Sequence, residues 1–277
     1  MAKNRLGIDI GYSLTKLAWH ENDNLCLELF PTNDFLKSIE DILESLSFNI
    51  NQINFTGGKG FEPFSEYSKF YDVRLLDEFE CNIKGIEFLY YIQKGKNLPN
   101  CLIVTLGTGT SILLKKKDFA HVGGSALGGG FVLGLIGLIF DIWNHDEIIR
   151  LAKKGQRFNV DLKVSDIYSL KDNRITGIFR EFTAATLGKL AKSFDIKNVK
   201  NEDIICSIIN MVGENIGSLT IQFANNYDVH DIVYSGGFMI KNSILKNTFK
   251  NICVLNKKKS IFLKHAELAG AIGALIS

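Results

Sequence analysis

Three short turns of glycine and hydroxyl residues hold the groups in this 277-residue chain best suited to chemistry. Gly11-Tyr12-Ser13 follows the apolar run Leu6–Asp9, Gly107-Thr108-Gly109-Thr110 follows Cys101–Leu106, and Ser235-Gly236-Gly237 follows Asp231–Tyr234. Glycine lets backbone N–H groups approach an anion, and the hydroxyls of Ser13, Thr108, Thr110 and Ser111 can donate to phosphate oxygens. Leu14–Trp19 and Ser111–Leu114 resume a strand pattern after the first two turns, so each reads as a hairpin. One Gly/Ser hairpin alone is more often a plain turn than a ligand site. Two equivalent hairpins about one hundred residues apart predict duplicated lobes with a nucleotide clamped between them. The third turn could hold a flat adenosine group against backbone, although an ordinary strand-to-helix connection has the same composition.

The nineteen residues Val122–Phe140 carry no charge and seven glycines. About 20 apolar residues can cross a bilayer, and Gly130 and Gly134 stand at the G-x-x-x-G spacing that packs such helices. The alternative is a phosphate-binding loop at Gly128-Gly129-Gly130 feeding a buried helix, whose dipole turns its positive end toward the anion. Five of the seven glycines precede Phe131, where a span would hold Leu, Ile or Phe. The anion-binding alternative is the stronger.

Around these turns the periodicity predicts helices at Asp34–Leu46, Phe79–Ile92, Asp203–Ala224 and Glu267–Leu275, alternating with strands to give an α/β protein. The wide apolar stripe of Asp203–Ala224 suits a core helix or, second, a dimer seam. Glycines in Glu267–Leu275 cost helix propensity and suggest close packing on another helix. A formal net charge of +2 recruits no polyanion, so nucleic acid is not implied. The runs Lys115–Lys117 and Lys257–Lys259 each follow a strand-like segment and read as solvated turns. Five scattered cysteines with no C-x-x-C spacing give neither a disulfide framework nor a zinc site. No signal-peptide run opens the chain, which places it in the reducing cytoplasm. Three prolines and no Ser/Gly-rich linker imply two tightly joined lobes.

Taken in order, GIDIGYSLTKLAW (Gly7–Trp19), FTGG (Phe55–Gly58), LLDEFECNIKG (Leu75–Gly85), TLGTGTSIL (Thr105–Leu113) and HVGGSALGGGFVLGL (His121–Leu135) resemble the type II pantothenate kinases. AKKGQ…VDLKVSDIY (Ala152–Tyr168), NNYDVHDIVYSGGF (Asn225–Phe238) and GAIGAL (Gly270–Leu275) extend the resemblance over essentially the whole chain. It implies the two-lobed actin-like ATPase (ribonuclease H-like) fold, with duplicated mixed sheets and an interlobe nucleotide cleft. Residues 1–98 would form the N-terminal lobe and 99–277 the C-terminal lobe. The implied reaction is ATP-dependent phosphorylation of the terminal hydroxyl of pantothenate to 4′-phosphopantothenate, the first step toward coenzyme A. The resemblance also implies a homodimer; with the charge, glycine and N-terminal readings above, the expectation is a cytoplasmic protein with no nucleic-acid or membrane partner.

By the same resemblance Glu78 takes the catalytic position, as the base that orients the acceptor hydroxyl. Asp77 and Glu80 would raise its proton affinity; without the resemblance, these acids would simply open a helix at the positive end of its dipole. Asp9 would hold Mg²⁺ through water, and Lys16 would meet the phosphates as a point charge. Gly11, Tyr12, Ser13, Leu14 and Thr15 complete the first ATP-binding loop. Thr108 takes an ATP-contacting position, Gly129, Gly130, Phe131, Val132 and Leu133 wrap the nucleotide, and His145 and Gly236 flank the adenosine. Thr110, Ser111 and His121 fall on the pantothenate side.

Two residues depart from the family pattern. Tyr12 stands where the family has glycine, so the loop must avoid positive φ there or aim the ring at solvent or the cleft. His121 replaces an arginine and cannot make a bidentate fork, a loss of ~2–4 kcal/mol of transition-state stabilisation by analogy with single-donor deletions. These departures leave two alternatives: a kinase for another small hydroxyl acceptor, or a nucleotide-binding regulator with weak catalysis.

Overall fold

The computed structural model describes residues 4–22, 24–34, 41, 43–44, 50–169, 171–172, 174, 177–191 and 199–277. The predicted helix Asp34–Leu46 lies mostly outside the described residues. Strand β1 (Arg5–Ile10) alternates Leu6, Ile8 and Ile10 on one face with Gly7 and Asp9 on the other. It pairs antiparallel with β2 (Leu14–Glu21), which pairs with β3 (Asn24–Pro31). On its other edge β1 runs parallel to β4 (Gln52–Thr56), and after helix α1 (Phe61–Tyr67) β5 (Asp72–Leu75) joins β4. The first sheet therefore has the order β3-β2-β1-β4-β5.

Helix α2 (Glu78–Lys94) follows, capped by Asp77, whose side chain accepts from the Glu80 N–H at 2.8 Å. The second sheet starts with β6 (Cys101–Leu106), β7 (Thr110–Lys115) and β8 (Phe119–Ser125). Helices α3 (Gly129–Phe140) and α4 (His145–Ala152) come next, then a small ribbon of β9 (Leu162–Lys163) and β10 (Thr183–Ala185) that flanks α5 (Val164–Ile167). Helix α6 (Asn201–Asn226) leads to β11 (Asp231–Ser235), α7 (Ser243–Leu255), β12 (Lys259–Ile261) and α8 (Ala269–Ile276). The second sheet has the order β12-β11-β6-β7-β8. Reversed, that is the first sheet's pattern strand for strand: an antiparallel meander with two parallel strands added beside its first member. The two hairpins are equivalent, as their sequences predict.

Between the sheets lies one layer of two helices, α2 and α8. Ala18 of β2, Ile103 of β6 and Val233 of β11 share a core with Ile86 and Leu89 of α2 and Ile272 of α8. A Cβ on Gly85 would run into the Ala269 carbonyl, and one on Gly273 into the Cys81 carbonyl, so the two helices touch backbone to backbone. This is the close packing that the small residues predict. Helix α8 also covers β1, β2 and β4, so the chain's last helix returns across the 98/99 division to the first sheet. By length and composition α6 could cross a membrane, yet Ile205, Ile208, Ile209, Val212 and Ile216 are buried in the core outside the second sheet.

Val122–Phe140 divides into the end of β8, a turn and a helix of 12 residues, so the glycines do lead into a helix. At ~1.5 Å per residue that helix falls well short of a ~30 Å hydrocarbon layer. Two expectations need correction. The helix is not buried, since only Val132, Ile136 and Gly137 are buried and Leu138 is 80% exposed. Second, Lys257–Lys259 follows α7 and not a strand, while Lys115 is no solvated turn residue: its Nζ donates to the Leu98 carbonyl at 2.8 Å.

Glycine substitutions separate propensity from packing. Gly134→Ala, with open space around it in α3, should stabilise by up to about 1 kcal/mol. Gly85→Ala and Gly273→Ala have the same propensity gain but should each show a net loss of about 1–3 kcal/mol from overpacking. Denaturant midpoints of the three variants check the order.

Candidate active site

The first turn is built without left-handed backbone at its tyrosine. The Gly11 N–H donates to the Leu14 carbonyl at 3.0 Å and closes the β1–β2 loop. Thr32 braces it, donating from Oγ1 to the Gly11 carbonyl at 2.9 Å and from its N–H to the Ser13 carbonyl at 3.0 Å. Tyr12 does not take a positive φ, and its ring stands 72% exposed. The departure from the family pattern is thus met by ordinary backbone and an outward ring. Thr15 is buried, sharing a hydrogen bond with Thr32 Oγ1 at 3.2 Å, so its hydroxyl faces inward and not toward a ligand.

The two hairpin turns meet. Ser13 Oγ and Thr108 Oγ1 share a hydrogen bond of 3.0 Å across 95 residues of sequence. Leu14 crosses at the same level, its Cδ1 lying against Gly237 of the third turn. Beneath, Thr105 Oγ1 and Ser235 Oγ are 3.2 Å apart. All three glycine turns therefore line one cleft.

On the cleft floor Asp9 is 5% exposed, and Lys16 Nζ donates to its Oδ2 at 2.8 Å. Gly57, at φ +88°, and Gly270, in the first turn of α8, each bring a missing Cβ to within 2.5 Å of an Asp9 oxygen. Any side chain at either position would cover the carboxylate. The opening turn of α8 also presents its positive end there. This arrangement fits Mg²⁺, a hard cation that takes one or two carboxylates and keeps its waters. Among the described residues no group of three or more His, Cys, Asp or Glu side chains could hold a metal.

Glu78 is the first residue of α2. Its carboxyl is open to the cleft solvent but walled by protein, and this loss of water, then the Asp9 charge, pushes its pKa above the ordinary carboxylate value. Lys16 opposes that rise and Asp77 adds to it. His121 reaches the same corner from β8, its ring stacked on Phe79 with centroids 4.7 Å apart and planes 16° from parallel. A bulge aims it there: Ile112 pairs with Gly123 while Leu113 pairs with His121, leaving Val122 extra.

Several predicted site residues spend their polar groups elsewhere. The N–H groups of Gly129 and Gly130 donate to the Gly107 and Thr108 carbonyls at 2.8 and 2.9 Å, so they latch α3 to the second turn and are not presented to an anion. Thr110 is buried and donates to the Leu127 carbonyl at 2.8 Å. Val132 is a core residue, with Phe131 and Leu133 packed half-buried on the same core. Ser111 is half-buried beside Thr110. At the far end His145 opens α4 edge-on to Phe238, at 6.0 Å and 73°. Burial pushes its imidazole below the ordinary value, against the pull of Asp146. Phe238 in turn touches Gly129, and Gly236, at φ +100°, passes against Leu106.

Thr32, Gly57, Phe79 and Gly270 act in this site without a role read from their sequence context. F-T-G-G is a usable signal for Gly57; nothing local marks Thr32.

The family model described as Fumble matches residues 5–277. A type II pantothenate kinase of Bacillus thuringiensis subsp. konkukian (strain 97-27) is 33% identical over 276 residues, which cover 99% of this chain and 97% of that protein. Among solved structures, the activator of the 2-hydroxyisocaproyl-CoA dehydratase from Clostridium difficile, with bound ADPNP, has a TM-score of 0.64 at 19% identity, covering 99% of this chain and 93% of its own. Component A of the (R)-2-hydroxyglutaryl-CoA dehydratase of Acidaminococcus fermentans gives 0.65 at 18%, covering 99% and 97%. These structures share the two-lobed actin-like ATPase fold.

Removing one partner of a buried ion pair leaves a buried charge unpaired. Lys16→Met should therefore cost about 3 kcal/mol of stability, and Asp9→Asn in the same chain should recover part of that. Urea titrations of the single and double variants measure the coupling.

Proposed function

Because this chain belongs to the Fumble family, we propose that it works as a type II pantothenate kinase, moving the γ-phosphoryl group of ATP to the terminal hydroxyl of pantothenate. The observation that supports this best is the juxtaposition of Glu78 with Asp9 and Lys16 below two joined glycine turns. In this reading the acceptor hydroxyl gives its proton to the Glu78 carboxylate as its oxygen attacks the γ-phosphorus. The bond from that phosphorus to the bridging oxygen breaks, and ADP leaves. A carboxylate with raised proton affinity suits a base near neutral pH, being ionised before the reaction and a better proton acceptor than an ordinary one.

Asp9 would hold Mg²⁺, which supplies charge neutralisation to the phosphates. Ser13 and Thr108 would face the phosphates, and Gly236, Phe238 and His145 the adenosine. Phe131, Leu133 and the Gly129–Gly130 latch shape the wall between them, with Val132 supporting from the core. Ser111 and His121 border the acceptor, with Thr110 bracing from below. We further propose the lobe division 1–98 and 99–277, with α8 crossing back, and a cytoplasmic homodimer that engages neither membrane nor nucleic acid. His121 favours one second reading, a different hydroxyl acceptor, because a stacked imidazole offers no fork to a carboxylate or phosphoryl group.

Purified protein given ATP, Mg²⁺ and pantothenate should release ADP and phosphopantothenate. Glu78→Gln should lower kcat about 10²–10⁴-fold while leaving the affinity for an ATP analogue intact. Turnover that survives this change removes the assigned base. Since the base must be deprotonated and its pKa is raised, kcat/KM should fall on acidification at a pH above the ordinary carboxylate range. Asp77→Asn keeps the helix cap and deletes a charge that raises Glu78, so the acid limb of the pH profile should move to lower pH. His121→Arg should raise pantothenate turnover; unchanged pantothenate turnover, with another hydroxyl compound preferred in an acceptor panel, favours the second reading.

A further inference from the structure

Around Asp9 and the first two turns, the described residues offer little free positive charge. Lys16 is bonded to Asp9 at 2.8 Å, so its charge is already balanced. His121 is stacked on Phe79, and Asp77, Glu78 and Asp9 add negative charge around the floor. A triphosphate entering such a site needs a further cation besides the metal.

One lysine is placed to be that cation. The Lys59 N–H donates to the Ile10 carbonyl at 3.0 Å, fixing its backbone beside the first turn. Its Nζ lies 4.8 Å from the centroid of the Tyr12 ring. Tyr12 is the residue between Gly11 and Ser13, and Ser13 reaches Thr108 across the cleft. Lys59 makes no ion pair with any described residue, and both it and Tyr12 are exposed. A cation resting on an exposed ring is held weakly, far less firmly than by a phosphate oxygen. The ring therefore parks the ammonium at the lip without sequestering it.

We infer that Lys59 is an additional phosphate-binding residue of this cleft, with Tyr12 as the positioning residue that holds it there. This rests on the reading of the cleft as an ATP site. It also accounts for Tyr12, since the residue that departs from the family's glycine brings a flat surface on which a neighbouring cation can wait. On nucleotide entry the Lys59 ammonium swings from the ring face to a phosphate oxygen, and no covalent change is involved.

The test titrates a Mg²⁺-bound non-hydrolysable ATP analogue, and adenosine alone, against wild-type protein, Lys59→Met, Lys59→Arg, Tyr12→Leu and Tyr12→Phe. Steady-state KM values for ATP and for the acceptor are measured alongside. Lys59→Met should weaken the analogue and raise KM for ATP about tenfold, leaving adenosine affinity and acceptor KM unchanged. Lys59→Arg should restore most of the loss, Tyr12→Leu should show about a threefold loss, and Tyr12→Phe should match wild type. Because Lys59 is exposed, melting temperatures should stay level. Analogue affinity of Lys59→Met within twofold of wild type overturns the inference while leaving the kinase reading in place. A wild-type protein that binds no nucleotide overturns both.

Discussion

The contact between α2 and α8, backbone against backbone at Gly85 and Gly273, fixes the geometry on which the rest of the molecule depends. It makes the layer between the sheets as thin as two helices allow, so both sheets can share one core. Its second consequence is chemical. Helix α2 starts at Glu78 and α8 starts against Asp9 of β1, so the helix contact helps to set the two carboxylates in one region. Bulkier residues at the contact would part the sheets and separate Glu78 from Asp9. Stability and site geometry are therefore properties of the same few atoms.

The two carboxylates then acquire different characters from their surroundings. Asp9 has an ammonium at hydrogen-bond distance and the first turn of a helix against it. Around Glu78, protein walls and the neighbouring Asp9 charge disfavour the ionised form, and the Lys16 charge only moderates them. Two acids of the same kind thus sit in unlike surroundings, and for Glu78 these raise its proton affinity. Lys16 is central to both, which is why its position on β2, paired in register with Asp9, matters more than its charge alone.

How much of this the sequence displays depends on the range of the interaction. Both hairpins, the strand Asp231–Ser235 and the helices around Glu78, Asn201–Asn226 and Ala269–Ile276 are legible because turn chemistry and periodicity are local. Their duplication is legible too, as the repeated strand–turn–strand pattern. The atoms' final partners are not. Thr110, Thr15 and the Gly129 and Gly130 amides look like ligand donors in the sequence, yet each is consumed in holding one turn against another, by contacts that only the tertiary fold supplies. Nor does the sequence show why Gly123 and Gly124 stand in β8, where Phe223 and the Thr110 backbone occupy the space of a Cβ.

The Gly129–Gly130 latch also bears on how a ligand enters. Across the mouth, the lobes meet through the exposed Ser13–Thr108 hydrogen bond and the Leu14–Gly237 contact. A hydrogen bond between exposed hydroxyls contributes at most about 1 kcal/mol net, since water replaces it at little cost. The contacts within each lobe are of another kind: Gly129 and Gly130 tie α3 to the second turn, and Thr32 ties the first turn to β3. Opening therefore breaks the weak contacts between turns before the firm ones inside them. Each turn is thus held together within its own sheet more firmly than the two turns are held to each other.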